Sequence, residues 1–262
     1  MRERPYETIT VASADGVATI TLNLPERKNP IGPAMVNELL YALDDAKGDD
    51  AVRVVVLTGA GNAFCAGGDL KQMGGGGGDG PKLAPKGDYV DLLLRFTTLG
   101  KPTVARLNGY AYGGGLGLVA SCDFAVAGES VKVGTPEVKR GLFPMMIMAV
   151  LRRVVPRREL LNMMLLGERL LADEAKQVGL LSHVVPDGEL DAKVGELTKK
   201  LAGQSPTAMR MGLLAYHRQA DQSLEEALPF LRDQLFALLG TEDAREGLMA
   251  FFEKREPQWK GR

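Results

Sequence analysis

Three short apolar runs constrain the fold of this chain most: residues 52–57 (VRVVVL), 103–107 (TVARL) and 123–127 (DFAVA). Each is long enough for a buried strand and too short for a helix. Helical patterns precede the first run and separate it from the second. Residues 33–47 place Met35, Leu39, Leu40 and Leu43 on one face, with Pro33 at the first turn, and 88–98 reads as a second helix. Strands alternating with helices imply βαβ units and a largely parallel sheet, an α/β fold. Ahead of them, 8–12 and 17–22 are strand-forming segments flanking Ala14-Asp15-Gly16, a hairpin turn signal. From Pro144 onward the pattern turns helical: 145–154, 157–166, 172–178, 190–202, 206–217, 224–239 and 242–253, interrupted by one strand at 182–185. Pro229 should kink the 224–239 helix or mark its true first turn. The expected organisation is an α/β core of residues 1–200 with a C-terminal helical subdomain, 201–262.

Composition narrows the function. The chain has 262 residues, 45% of them apolar, which suffices for a sizeable core, either one domain with an appendage or two domains. Its 32 Lys+Arg nearly cancel 33 Asp+Glu, which argues against a nucleic-acid binder. No run approaches the ~18 apolar residues of a membrane span, and MRERPYETIT lacks the apolar stretch of a signal peptide. A soluble, cytoplasmic protein is therefore expected. Cys65 and Cys122 make no disulfide framework, and His183 and His217 lack metal-ligand spacing, so no metal is expected.

What stands out is 32 glycines, about 12% against a usual value of about 7%. Gly74 to Gly78 are consecutive, the composition of a solvated surface loop or the movable wall of a site. Gly113-Gly114-Gly115-Leu116-Gly117 follows the 103–107 strand and the short loop 108–112, and runs into a helix start. It fits neither dinucleotide nor phosphate-loop spacing. Either these glycines allow close helix–sheet packing, or their amides face a developing negative charge. Phe64-Cys65-Ala66-Gly67-Gly68-Asp69 is a second small-residue segment able to expose amides. Within it Cys65 reads as a buried thiol before a nucleophile, and Asp69 as a cap or turn former before a base. Two such loops after neighbouring strands suggest a site at the strands' carboxyl ends, with two amides forming an oxyanion hole. Glu137, after Pro136 at a helix start and amid Val131, Val133, Leu142 and Phe143, is either a general acid/base with a raised pKa or a first-turn residue complementing the helix dipole.

In order, the segments Asn23…Pro25-Glu26-Arg27-Lys28-Asn29, 61–71, NGYAYGGG at 108–115, Cys122-Asp123, Thr135-Pro136-Glu137…Gly141, Gly179-Leu180 with Val184-Val185, and Phe252-Glu253-Lys254-Arg255 resemble the crotonase (enoyl-CoA hydratase/isomerase) superfamily across essentially the whole chain. That resemblance implies a crotonase-like fold of repeated ββα units with a C-terminal helical part, assembled as a homotrimer or dimer of trimers. It implies an acyl-CoA substrate, in the manner of fatty acid metabolism, with coenzyme A as part of the thioester and no other cofactor. The amides of Gly68 and Gly114 would form the oxyanion hole, and Glu137 would act as acid/base. Ala66 would lie by the adenine, and Lys71 and Lys254 would meet CoA phosphates, Lys254 from a neighbouring subunit. Glu26, Arg27 and Lys28 would follow the CoA chain, and Asp123 would be structural. Hydratases of the family carry a second glutamate just after the triple glycine, where this chain has Gly117. A lone Glu is closer to isomerisation, with hydration by Glu137 alone or with an unidentified partner still open. Residues 143–148 (FPMMIM) replace a glycine-rich stretch and would reshape the acyl pocket. A CoA-thioester decarboxylase or hydrolase, or a non-catalytic acyl-CoA-binding subunit, are the alternatives.

Overall fold

The computed structural model describes residues 1–73 and 82–262. The five-glycine run 74–78, and with it the reading of that run as a loop or movable wall, lies outside the described residues. β1 (Ile9–Ala14) and β2 (Val17–Leu22) form an antiparallel hairpin. Its two linking residues, Asp15 and Gly16, have φ of 51° and 78°, the double positive φ of the turn that matches strand twist. Then come α1 (Pro33–Gly48), β3 (Val54–Gly59), β4 (Ala63–Cys65), α2 (Leu70–Met73), α3 (Tyr89–Thr98), β5 (Thr103–Leu107), β6 (Tyr110–Tyr112), α4 (Gly114–Ser121), β7 (Phe124–Gly128) and β8 (Lys132–Gly134). A 3-10 turn, Pro136–Arg140, leads to α5 (Met145–Leu151), α6 (Arg157–Leu166), β9 (Arg169–Leu171), α7 (Ala172–Gln177), β10 (His183–Val185), α8 (Leu190–Ala202), α9 (Pro206–Gln219), α10 (Leu224–Leu239) and α11 (Glu242–Glu253).

The apolar runs become the centre of a six-stranded sheet of order β1-β2-β3-β5-β7-β10, parallel except for the β1–β2 pair. Every residue of β3 is buried, and its alternation explains the unbroken VVVL. Val55 and Leu57 join the main core with α1 and α4, while Val54 and Val56 pack with Leu190 and Val194 of α8 on the opposite face. Full burial of each such side chain contributes about 1.5–3 kcal/mol. Asp123 is a cross-link between strands: its Oδ2 accepts from the amide and hydroxyl of Thr103, each at 2.7 Å.

Two expectations change. The loop assigned to 108–112 contains β6, and β4, β8 and β9 join it in a second, four-stranded sheet of order β4-β6-β8-β9. Three-residue strands are too short to show alternation, so nothing in the pattern announces them. Pro229 does not mark the first turn of α10, because Ser223 and Glu226 form a capping box that starts the helix at Leu224. Each ββα repeat therefore sends its first strand (β3, β5, β7) to the large sheet and its second (β4, β6, β8) to the small one.

One buried side chain ties the loop after β2 to both sheets. Asn29 is fully buried with φ of 54°, a conformation Asn tolerates. Its Oδ1 accepts from the Leu24 amide at 2.9 Å, and its Nδ2 donates to the carbonyls of Ala60 and Ala63 at 2.9 Å and of Phe64 at 3.2 Å. Asn29→Ala should lower unfolding free energy by about 2–4 kcal/mol, through unpaired buried groups and a strained backbone, and Asn29→Asp by no less, since it sets a carboxylate against those carbonyls. Urea denaturation measures both; a loss under about 1 kcal/mol would show that the clamp is dispensable.

Candidate active site

The small sheet assembles the site. β4, β6 and β8 are adjacent and parallel, with Cys65 beside Ala111 and Tyr112 beside Gly134. Their carboxyl ends therefore lie side by side, and the residues two or three positions beyond them are Gly68, Gly114 and Glu137. All three line one cavity of about 430 Å³, together with Ile31, Tyr89, Phe143, Met145, Met146 and Ile147. A cavity does lie at strand carboxyl ends, although the strands that border it are those the sequence pattern hides.

Backbone pairing aims the two amides. Gly68 forms an isolated parallel bridge with Ile31, in which the Ile31 amide donates to Gly67 O at 2.8 Å and the Asp69 amide to Ile31 O at 2.9 Å. Alternation along an extended chain turns the intervening Gly68 N–H the other way, and among the described residues it has no acceptor. Gly114 is the first residue of α4, whose early amides have no partner within the helix. A Cβ added to Gly114 would stand 3.7 Å from the Gly68 nitrogen, so both glycines border one space. Two free N–H groups and a helix N-terminus around one space favour an oxygen that carries negative charge.

The glycines of 113–117 divide between the two readings of that segment. Gly115 packs: a Cβ there would lie 2.5 Å from Cys65 Cβ. Gly113, at φ 50°, gives room to Glu137, whose Oε1 would be 2.8 Å from an added Cβ. Cys65 is fully buried, which pushes its thiol up to about 12 and removes it as a nucleophile near neutrality.

Glu137 lies in the 3-10 turn, with Pro136 before it and the left-handed Gly141 (φ 71°) closing it. Its Oε2 is buried with no hydrogen-bond partner among the described residues. Desolvation raises its pKa, offset in part by a backbone hydrogen bond and by Arg140. A carboxylate with one unpaired oxygen at the edge of an apolar cavity is suited to proton transfer.

Position 117, lacking the second carboxylate, is also a filled space. A Cβ there would collide with Ile147 Cγ2 and stand 2.5 Å from Tyr89 Oη. Restoring a glutamate by one substitution would thus require Ile147 and Tyr89 to move. Ile147, 3% exposed, belongs to α5 in the 143–148 segment, and its neighbours Met145 and Met146 line the cavity, as the methionine-rich sequence suggested.

Tyr89 is a cavity residue that sequence reasoning missed. Its hydroxyl donates to Gly114 O at 2.5 Å. The preceding chain is fixed from α1: buried Asn37 donates to the carbonyls of Leu83 and Ala84, both at 3.1 Å, and accepts from the Lys86 amide at 2.8 Å. Asp88 then caps α3 in a capping box with Asp91. Only the Asp88 cap leaves a local trace in the sequence; the meeting of Tyr89 with α4 is tertiary.

The remaining candidates sit at the surface around this cavity or away from it. Arg27 pairs with Asp69 at 2.5 Å, which makes Asp69 a brace for the loop rather than a free base. Lys28 Nζ donates to Asn62 Oδ1 at 2.9 Å. Glu26, Ala66 and Lys71 are exposed. Lys254 is exposed at the left-handed C-cap of α11 (φ 55°) and does not line the cavity in this chain. Among the described residues no group of three or more metal-binding side chains occurs, and no helix is long and apolar enough to cross a membrane.

Known proteins resemble this chain along nearly its whole length. The family model for enoyl-CoA hydratase/isomerase matches residues 12–262. A protein of Rhizobium meliloti named "probable enoyl-CoA hydratase" is 36% identical over 259 residues, covering 98% of this chain and 99% of the relative. The crystal structure of enoyl-CoA hydratase from Bacillus anthracis superposes with a TM-score of 0.89 at 32% identity, covering 98% of this chain and all of that one. That of Mycobacterium smegmatis gives 0.88 at 32% identity, with 97% and 99% covered. With two glycine amides and one glutamate around a single cavity and similarity along nearly its whole length, the chain belongs to the enoyl-CoA hydratase/isomerase family, a crotonase-fold enzyme.

Proposed function

We propose that the enzyme acts on an acyl-CoA thioester through an enolate, with Gly68 and Gly114 as the oxyanion hole and Glu137 as the acid/base. The observation that carries this is the pair of acceptor-free amides facing one space, with the unpaired Oε2 of Glu137 beside the same cavity. The thioester oxygen accepts both N–H groups. When Glu137 removes a proton from the carbon beside the carbonyl, the C–H electron pair moves onto that oxygen. Return of the proton to another carbon shifts the double bond; addition of water at the β-carbon followed by protonation at the α-carbon hydrates it. Each amide donor contributes about 2.7–4 kcal/mol to such a transition state in well-measured enzymes. No cofactor beyond the CoA of the substrate enters these steps.

Around the cavity, Glu26, Arg27, Lys28, Ala66 and Lys71 would follow the CoA moiety. The exposed apolar residues Leu228, Leu235 and Phe236 of α10 and Phe251 and Phe252 of α11 support assembly with further subunits. A homotrimer, or a dimer of trimers, would bring Lys254 to a neighbour's CoA. A cytoplasmic location fits this reading.

Glu137→Gln should lower kcat on 2-enoyl-CoA or 3-enoyl-CoA thioesters by about 10²–10⁴, and unchanged turnover on a substrate the wild type accepts would remove Glu137 from the chemistry. Because burial raises the Glu137 pKa, its base form is lost at higher pH than for an exposed carboxyl. The acid limb of kcat/KM should therefore lie above the ordinary glutamate value of about 4.3 and vanish in Glu137→Gln. Gly114→Ala is sterically tolerable, with nearest neighbours Ile31 Cδ1 at 3.4 Å and Tyr89 Oη at 3.6 Å, yet its methyl enters the oxygen's space. It should fold normally and lose about 10²-fold or more in kcat; wild-type turnover would move the oxyanion elsewhere.

A further inference from the structure

We infer that the Tyr89 hydroxyl is a water-positioning residue that takes the part of the carboxylate absent from position 117 and makes hydration possible with Glu137 as the acid/base. This inference rests on the enolate reading above. Three independent placements support it. First, the hydroxyl stands 2.5 Å from where a Cβ on Gly117 would be, so the phenol has entered the space that a side chain at 117 would leave through. Second, the same oxygen is 3.6 Å from an added Cβ on Gly114, a point itself 3.7 Å from the Gly68 amide, so it borders the space between the two amides. Third, its direction is fixed: the proton is committed to Gly114 O at 2.5 Å, and Asn37 and the Asp88–Asp91 capping box hold the chain that carries it.

A phenol whose proton is already donated presents only lone pairs to the cavity. It accepts from a donor and does not supply a proton. The other walls bordering this point, Ile31 and Ile147, are apolar, which leaves the hydroxyl as the local anchor for a water. Burial also keeps the phenol protonated across the neutral range, with the Glu137 charge acting in the same direction. Tyr89 is thus no base, and proton transfer remains with Glu137.

The step balances with one carboxylate. A water donates one hydrogen bond to Tyr89 Oη and the other to ionised Glu137. Its oxygen bonds to the β-carbon of a 2-enoyl thioester as Glu137 takes the second proton, and the double-bond electrons move through the α-carbon onto the thioester oxygen held by Gly68 and Gly114. The enolate electrons then return to the α-carbon, which takes that proton from Glu137. One water has been added, and both Tyr89 and Glu137 end as they began. Isomerisation and α-proton exchange use the amides and Glu137 without this water.

Two rates on the wild type and on Tyr89→Phe test the assignment: hydration of a short trans-2-enoyl-CoA, and exchange of the α-protons of the saturated acyl-CoA in heavy water followed by NMR. The phenylalanine keeps the ring and removes the hydroxyl, and with it both the anchor and the hydrogen bond to Gly114 O. The ratio of hydration to exchange should fall by about tenfold or more, carried by kcat with KM within about threefold. An unchanged ratio, including an equal loss of both rates, would reduce Tyr89 to a support for Gly114 and overturn the inference. A wild type that exchanges α-protons but does not hydrate would overturn it too. Absence of α-proton exchange in the wild type would instead remove the enolate reading, and this inference with it.

Discussion

Parallel pairing of three strands of no more than three residues each, β4, β6 and β8, is the constraint on which the rest depends. By aligning their carboxyl ends it brings together residues 68, 114 and 137, which are far apart along the chain. The isolated bridge from Ile31 then turns the Gly68 N–H into the cavity, and the start of α4 leaves the Gly114 N–H without an internal partner. Neither amide is held open by a special side chain. Their availability follows from where a short strand stops and a helix begins, so small shifts in the sheet translate directly into the relative position of the two amides.

The environment of Glu137 follows from the same arrangement. The turn after β8 buries one carboxylate oxygen without a partner among the described residues, and the cost of that desolvation appears as a raised pKa. Such a group is expensive structurally and useful chemically. Ile147 and Tyr89 close the space beside Gly117, so the packing leaves no room there for a side chain unless they move.

The large sheet was legible in the sequence because its central strands are buried on both faces and therefore uniformly apolar, as Val54 to Leu57 illustrate. The hairpin was legible from Asp15-Gly16, and the helices of the second half from their spacing. The small sheet was not, since Ala63–Cys65 or Tyr110–Tyr112 is shorter than the roughly four residues needed to read alternation. The glycines and Glu137 were visible as candidates, but their meeting was not visible in the local pattern; it came from the resemblance of ordered motifs. Tyr89 carries no motif and reaches Gly114 only through the anchoring of residues 83–86 by Asn37. The same physics made Asp69 ambiguous in sequence and decides it in structure, where it braces Arg27.

The central claim is that two backbone amides polarise one thioester oxygen, and vibrational spectroscopy reads this without turnover. With the Glu137→Gln variant and an acyl-CoA carrying ¹³C at the thioester carbonyl, isotope-edited difference infrared spectra compare bound and free ligand. The account predicts a carbonyl band shifted to lower frequency on binding, with the shift largely removed when Gly114→Ala is added. A bound carbonyl at its free-solution frequency would contradict it.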